Sequence, residues 1–115
     1  MAEFLLSDGR CKLILSYVDG MALNVVWLYI QDDADDYFAR KSLFVWVLRR
    51  LLDEKAVVAG KHGNQLTEAT DEIVNMFAGA FPESEAKLGG GIWFFSEVCP
   101  AGIDWIGQDG NVYWA

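Results

Sequence analysis

The chain has 115 residues, 53% of them hydrophobic and 14% aromatic, and a formal charge of -8 at pH 7 from seventeen acids against nine bases. That length fits one domain with an ordinary core, and so much apolar content excludes intrinsic disorder despite the charge. A negative field of this size disfavours nucleic acid and anionic membrane as partners and favours basic proteins.

Apolar residues at 11, 13, 14, 15, 17 and 18 predict a short element from Cys11 to Val18, helix or strand, closed by an Asp19-Gly20 turn. Leu23 to Ile30 predicts a helix, with Val26, Trp27 and Ile30 at helical spacing and Asn24 as N-cap. A polar break, Gln31 to Asp36, holds four aspartates. A long helix is predicted from about Asp35 to Asp53. Its expected stripe is Phe38, Lys41, Phe44, Val45, Leu48, Leu51 and Leu52, with Arg40, Arg49 and Arg50 outside it. Aspartates at its start and arginines near its end both suit the helix dipole.

Ala56 to Ala59 and Gln65-Leu66, joined by Gly60-Lys61-His62-Gly63-Asn64, predict a small hairpin. Thr67 is the expected N-cap of a second clear helix from Glu68 to Ala80, whose buried face is Ala69, Ile73, Met76, Phe77 and Ala80. Pro82 stops it, and Gly89-Gly90-Gly91 reads as a flexible break. Ile103 and Trp105 alternate in strand fashion, as do Val112 and Trp114, and Gln108-Asp109-Gly110-Asn111 is a hairpin turn. Of Trp93, Phe94, Phe95, Trp105, Tyr113 and Trp114, most should be core; Trp114 is the aromatic best placed for a surface or interface. The expected fold is a single α+β domain spanning residues 1–115. It has three to four helices, a small hairpin after the long helix and a C-terminal β-hairpin.

Charge is uneven. Residues 1–60 carry nine acids against seven bases, whereas residues 61–115 carry eight acids against Lys61 and Lys87 alone. The N-terminus lacks the basic and apolar regions of a signal peptide, and the longest uncharged stretch, Gly20 to Gln31, is too short to cross a bilayer. A cytoplasmic location is expected. Cys11 and Cys99, far apart and without a CxxC, read as small buried hydrophobes rather than a disulfide.

Chemistry is scarce. Asp32-Asp33-Ala34-Asp35-Asp36 fails the EF-hand pattern, with Ala34 and Tyr37 at the third and sixth positions, so a solvated helix start or an acidic contact is expected. The single histidine, His62, has no orienting acid beside it and supports neither a two-histidine zinc site nor general-base work. Gly89 to Gly91 matches neither a phosphate loop nor a dinucleotide fingerprint. Glu83, Glu85, Glu97, Asp104 and Asp109 include possible glycosidase-type pairs, but acids are so abundant that no two stand out. Arg40, Lys41, Arg49, Arg50 and Lys55, with the hairpin as a wing, suggest a winged-helix regulatory or interaction module as the alternative, which the surrounding acids oppose. No metal, no cofactor and no catalytic residue are expected.

Trp27-Leu28-Tyr29-Ile30-Gln31, Leu48-Arg49-Arg50-Leu51-Leu52, Ala80-Phe81-Pro82, Cys99 to Trp105 and the tail from Asp109-Gly110 to Trp114 stand in an order covering most of the chain. In these blocks the chain resembles a family of small acidic bacterial proteins of unknown function that includes immunity proteins (CdiI) of contact-dependent growth inhibition. The resemblance implies a non-enzymatic inhibitor whose partner is a cognate protein toxin, the C-terminal toxin domain of the delivered effector. Basic nuclease-type toxins would suit an acidic inhibitor that mimics phosphate. The expected contacts are Asp32, Asp33, Asp35 and Asp36, or Glu68, Asp71, Glu72, Asp104 and Asp109, with Trp114 as an apolar anchor. Neither nucleic acid nor membrane is expected as a partner.

Overall fold

A computed structural model describes residues 7–61, 64–106 and 112–114. Helices α1 (Asp8–Val18), α2 (Leu23–Tyr29) and α3 (Tyr37–Asp53) come first, followed by strands β1 (Val57–Lys61) and β2 (Asn64–Gln65). Helices α4 (Thr70–Ala80) and α5 (Glu85–Leu88) precede strands β3 (Gly102–Ile106) and β4 (Val112–Trp114), and 3-10 turns occupy Gln31–Asp33 and Gly89–Phe95. The α+β class and both hairpins are as the sequence predicts.

The ambiguous first segment is helical because Ser7 caps it, its side chain accepting from the Arg10 N–H at 3.2 Å. Asn24 is not the cap of α2. That helix starts at Leu23, as expected, but behind Ala22 and with no side-chain cap. Thr67 does not cap α4 either. Leu66 N–H still donates to Ala59 O at 2.8 Å, so sheet-like pairing runs to residue 66 and the helix begins only at Thr70.

The buried stripe of α3 is rotated from the expected one. Asp36 caps the helix through the Ala39 N–H at 2.8 Å, and Tyr37 turns inward, its hydroxyl donating to Pro82 O at 2.7 Å. With the phase set there, Leu43, Phe44, Val47, Leu48 and Leu51 are buried, while Val45 and Leu52 are only half-buried and Phe38 is 69% exposed. Arg40, expected outside the stripe, lies against the core over the Trp27 ring (5.4 Å), and Lys41, expected on the stripe, lies over the Phe81 ring (5.8 Å). Helix α4 buries Ile73, Val74 and Phe77, the last against Phe44 of α3, leaving Ala69, Met76 and Ala80 exposed.

Around Phe44 gathers an aromatic cluster of Trp27, Phe77, Phe81 and Phe94, with Tyr37 and Trp93 at its margins. It draws α2, α3, α4 and the Gly89–Phe95 turn into one core. The expected flexible break at Gly89 to Gly91 is instead structured. Gly89, at φ +63°, ends α5, and Gly91, at φ +107°, shapes the 3-10 turn, both backbone states that favour glycine.

The two hairpins join into one antiparallel sheet of order β2-β1-β3-β4. Val57 pairs with Trp105 and Ala59 with Ile103, and these four side chains are buried. Trp105 Nε1–H donates to Met21 O at 2.9 Å, tying the sheet to the α1–α2 connection. Because β1 is paired on both sides, the hairpin after α3 does not project as a wing. Cys11 and Cys99 are buried thiols, not joined in a disulfide. Among the described residues, no helix is long and apolar enough to cross a membrane.

Candidate interaction surface

The four aspartates after α2 share a turn but not a role. Asp33 receives a two-pronged contact from Arg10, Nε and the terminal nitrogen each donating at 3.0 Å, which fastens α1 to the turn. Asp36 spends one carboxylate oxygen on the α3 cap. Asp32 and Asp35 remain exposed and form no ion pair among the described residues, although the Asp32 charge is felt by Arg10. A shallow hollow of about 410 Å³ opens between this turn and the first turns of α3, lined by Asp33, Ala34, Asp35, Asp36, Ala39 and Ser42 among others.

Glu68, Asp71 and Glu72 form a second acidic group at the start of α4. Asp71 pairs with Arg49 of α3, so this group sits beside the end of the long helix, where Asp53 and Glu54 add further acids. Arg50 is held by Glu54 at 3.1 Å and lies over the Trp46 ring at 5.4 Å. Arg40 pairs with Glu85 at 3.4 Å and Lys87 with Glu83 at 3.3 Å. The arginines that suggested a nucleic-acid stripe are therefore engaged by the protein's own acids and rings.

Asp104 is placed differently from the other acids. It stands in β3, opposite Val58 and Trp114, and only 4% of it is exposed. No hydrogen bond or ion pair to its carboxyl is found among the described residues, and burial raises its pKa above the ordinary carboxylate range. It therefore does not join a solvated acidic rim; β pairing has drawn it out of water. Asp104 lines a recess of about 170 Å³ together with Leu23, Asn24, Gly60, Phe94, Phe95 and Gly102. A second hollow of about 200 Å³ continues past Phe95 toward Lys61, Glu97 and Cys99. Lys61 Nζ is held there by the carbonyls of Glu97 (2.6 Å) and Cys99 (3.1 Å). The Cys99 thiol donates to Ala101 O at 3.3 Å, and burial pushes its pKa up, away from the reactive thiolate. Asp109 and His62 lie outside the described residues, as does the side chain of Trp114.

Beside the recess runs an apolar stripe that helical-wheel periodicity does not signal. Ile92, Phe95 and Val98 are 74%, 71% and 64% exposed, while Trp93 and Phe94 between them are buried. A 3-10 turn has three residues per turn, so positions 92 and 95 eclipse on one side. The three-residue spacing was visible in the sequence, but without the 3-10 assignment Phe95 reads as core. Tyr17 and Tyr29, stacked at 5.5 Å, are also exposed, on α1 and α2.

Among the described residues, no group of three His, Cys, Asp or Glu side chains is placed to hold a metal ion. A family profile of proteins of unknown function, DUF596, matches residues 52–115, from the end of α3 through both hairpins. The chain belongs to the DUF596 family. The match takes in β1 to β4, the 3-10 stripe and Asp104, whereas Leu23 and Asn24 on the α2 side of the recess lie before it. Among solved structures, the fold is similar to that of an uncharacterised protein conserved in bacteria, from Neisseria meningitidis. The TM-score is 0.83 at 23% identity, covering 92% of this chain and 87% of that one. No curated protein matches the chain.

Proposed function

We propose that this DUF596 protein is an immunity protein that binds a cationic toxin domain and blocks it by occupancy, without a reaction of its own. The observation that carries this reading is the division of charge across the surface. The arginines are spent internally on Asp33, Glu85, Asp71 and Glu54, whereas Asp19, Asp35, Asp53, Glu68 and Glu72 are exposed and form no ion pair among the described residues. The outward field is thus supplied by carboxylates that a basic partner can neutralise. It would speed encounter and reject nucleic acid.

The exposed stripe Ile92–Phe95–Val98 supplies what electrostatics alone lacks, a place where water can be excluded from a contact. Contact-dependent growth inhibition is the proposed setting, and the toxic C-terminal domain of the delivered effector the proposed partner. A nuclease-type domain with a phosphate-binding cleft fits an acidic blocker.

Growth rescue provides the test. Cells producing the toxin domain encoded beside this chain should recover when the chain is co-expressed, and the purified pair should form a complex that weakens as salt rises. No rescue and no complex, at low salt as well as high, would refute the reading.

A further inference from the structure

We infer that helix α1 is the contact of a symmetric dimer, its exposed face packing antiparallel against α1 of a second copy of this chain. The inference goes beyond toxin binding and uses a different surface. Cys11, Ile14 and Val18 turn to the core, while Lys12, Leu13, Ser16 and Tyr17 are exposed on the other side of the helix. Tyr17 stacks on Tyr29 of α2, which carries the apolar surface from one helix to the next. Leu13, Tyr17, Met21, Leu28 and Tyr29 are each between 43% and 51% exposed. So much apolar surface on one helical hairpin marks a contact.

Charge selects the occupant. Residues 8–31 carry Asp8 and Asp19 against Arg10 and Lys12, so this hairpin is neutral and the whole of the -8 lies elsewhere in the chain. A cationic partner gains nothing there, whereas two acidic copies meet on that face with the least repulsion. The charges along α1 are also self-complementary. With a two-fold axis beside Leu15, antiparallel helices bring Leu13 against Tyr17 of the second copy and Lys12 toward Asp19 of the second copy, each contact occurring twice. A parallel arrangement would instead set like charges together. Ser16 lies near the axis, and its hydroxyl already donates to Leu13 O at 2.7 Å, so covering it strands no polar group. At the start of the helix a Cβ on Gly9 would meet nothing within 4 Å, which leaves room for the Asp19–Met21 turn of the second copy.

Sedimentation velocity on the full chain tests the dimer. Expected is a concentration-dependent shift from 12.9 kDa to twice that mass. The double variant Leu13→Glu/Tyr17→Glu should stay monomeric throughout, with unchanged tryptophan fluorescence and melting, because both side chains stand at the surface. Asp19→Lys should raise the dimer Kd by about tenfold or more, since it sets like charges opposite each other twice. Adding Lys12→Glu to Asp19→Lys should restore the dimer, a rescue that a damaged fold would not give. Ser16→Cys should form a disulfide-linked dimer under mild oxidation, while Gly79→Cys, exposed on α4, should not. A native chain that is monomeric at every concentration would overturn the inference. So would a dimer that survives Leu13→Glu/Tyr17→Glu, one broken instead by Phe95→Glu, or a charge swap that restores nothing.

Discussion

Replacing Phe81 by alanine removes the ring that closes the aromatic cluster. Phe81 packs against Trp27, Tyr37, Phe44, Trp93 and Phe94 at centroid separations between 5.0 and 6.2 Å, with Lys41 over its face. A buried Phe→Ala change costs about 3–5 kcal/mol, and five ring contacts around a closed site, which cannot easily collapse, place this one in the upper half. Against a total stability of about 5–15 kcal/mol, most or much of the folding free energy would go. Urea unfolding followed by tryptophan fluorescence should show a lower midpoint with the slope unchanged. Phe95→Ala is the matched control: the same deletion at an exposed ring should change stability by no more than about 0.5 kcal/mol. A Phe81→Ala loss below about 1.5 kcal/mol, or equal losses in the two variants, would refute the placement of these rings. The stakes reach the surface, because Trp93 and Phe94 hold the 3-10 turn that presents Ile92 and Phe95.

Asp104→Asn should stabilise the free protein at pH 7. Burial raises the folded-state pKa, so above the ordinary carboxylate range the folded chain holds a proton that the unfolded chain has released, and stability falls as pH rises through that window. The variant's advantage in thermal melts should therefore shrink as the pH drops below the ordinary carboxylate range; an advantage that is constant with pH would contradict a desolvated acid. Asp36→Ala should cost about 1 kcal/mol by removing the α3 cap, whereas the double variant Asp32→Asn/Asp35→Asn should be nearly neutral in chemical denaturation while weakening any cationic partner. Gly91→Ala should destabilise by about 1 kcal/mol or more, because φ +107° is strained for any side chain even though the nearest atom is 3.9 Å away.

The fold class and both hairpins could be read from local signals, because alternation, turn residues and caps act over a few positions. Phase and joining could not. The face α3 buries depends on Tyr37 reaching Pro82, and the hairpins become one sheet only through the pairing of Val57 with Trp105; both contacts span long stretches of chain. The acidic groups at Asp32 to Asp36 and at Glu68 to Glu72 were visible as composition, but their division into an inward pair with Arg10, a helix cap and exposed charges is set only by the packing of α1 and α3 around the turn. Asp104 was hidden by its own abundance: among seventeen acids nothing in the sequence marks the one that β pairing removes from water. Phe95 was hidden by a change of period, since three residues per turn exposes a position that reads as core in a strand or an α-helix.

Because β1 finds its inner neighbour only in β3, synthesis imposes a delay on this sheet. At ordinary translation rates the nascent chain carries β1 for roughly 2–10 s before Trp105 is made to face Val57. Over that interval α1 to α3 can already associate, while β1, with two-residue β2 as its only companion, presents an open flank near the ribosome. Gly60 and Lys61 end that strand, a weak strand former and a charge that discourage premature pairing with neighbouring nascent chains.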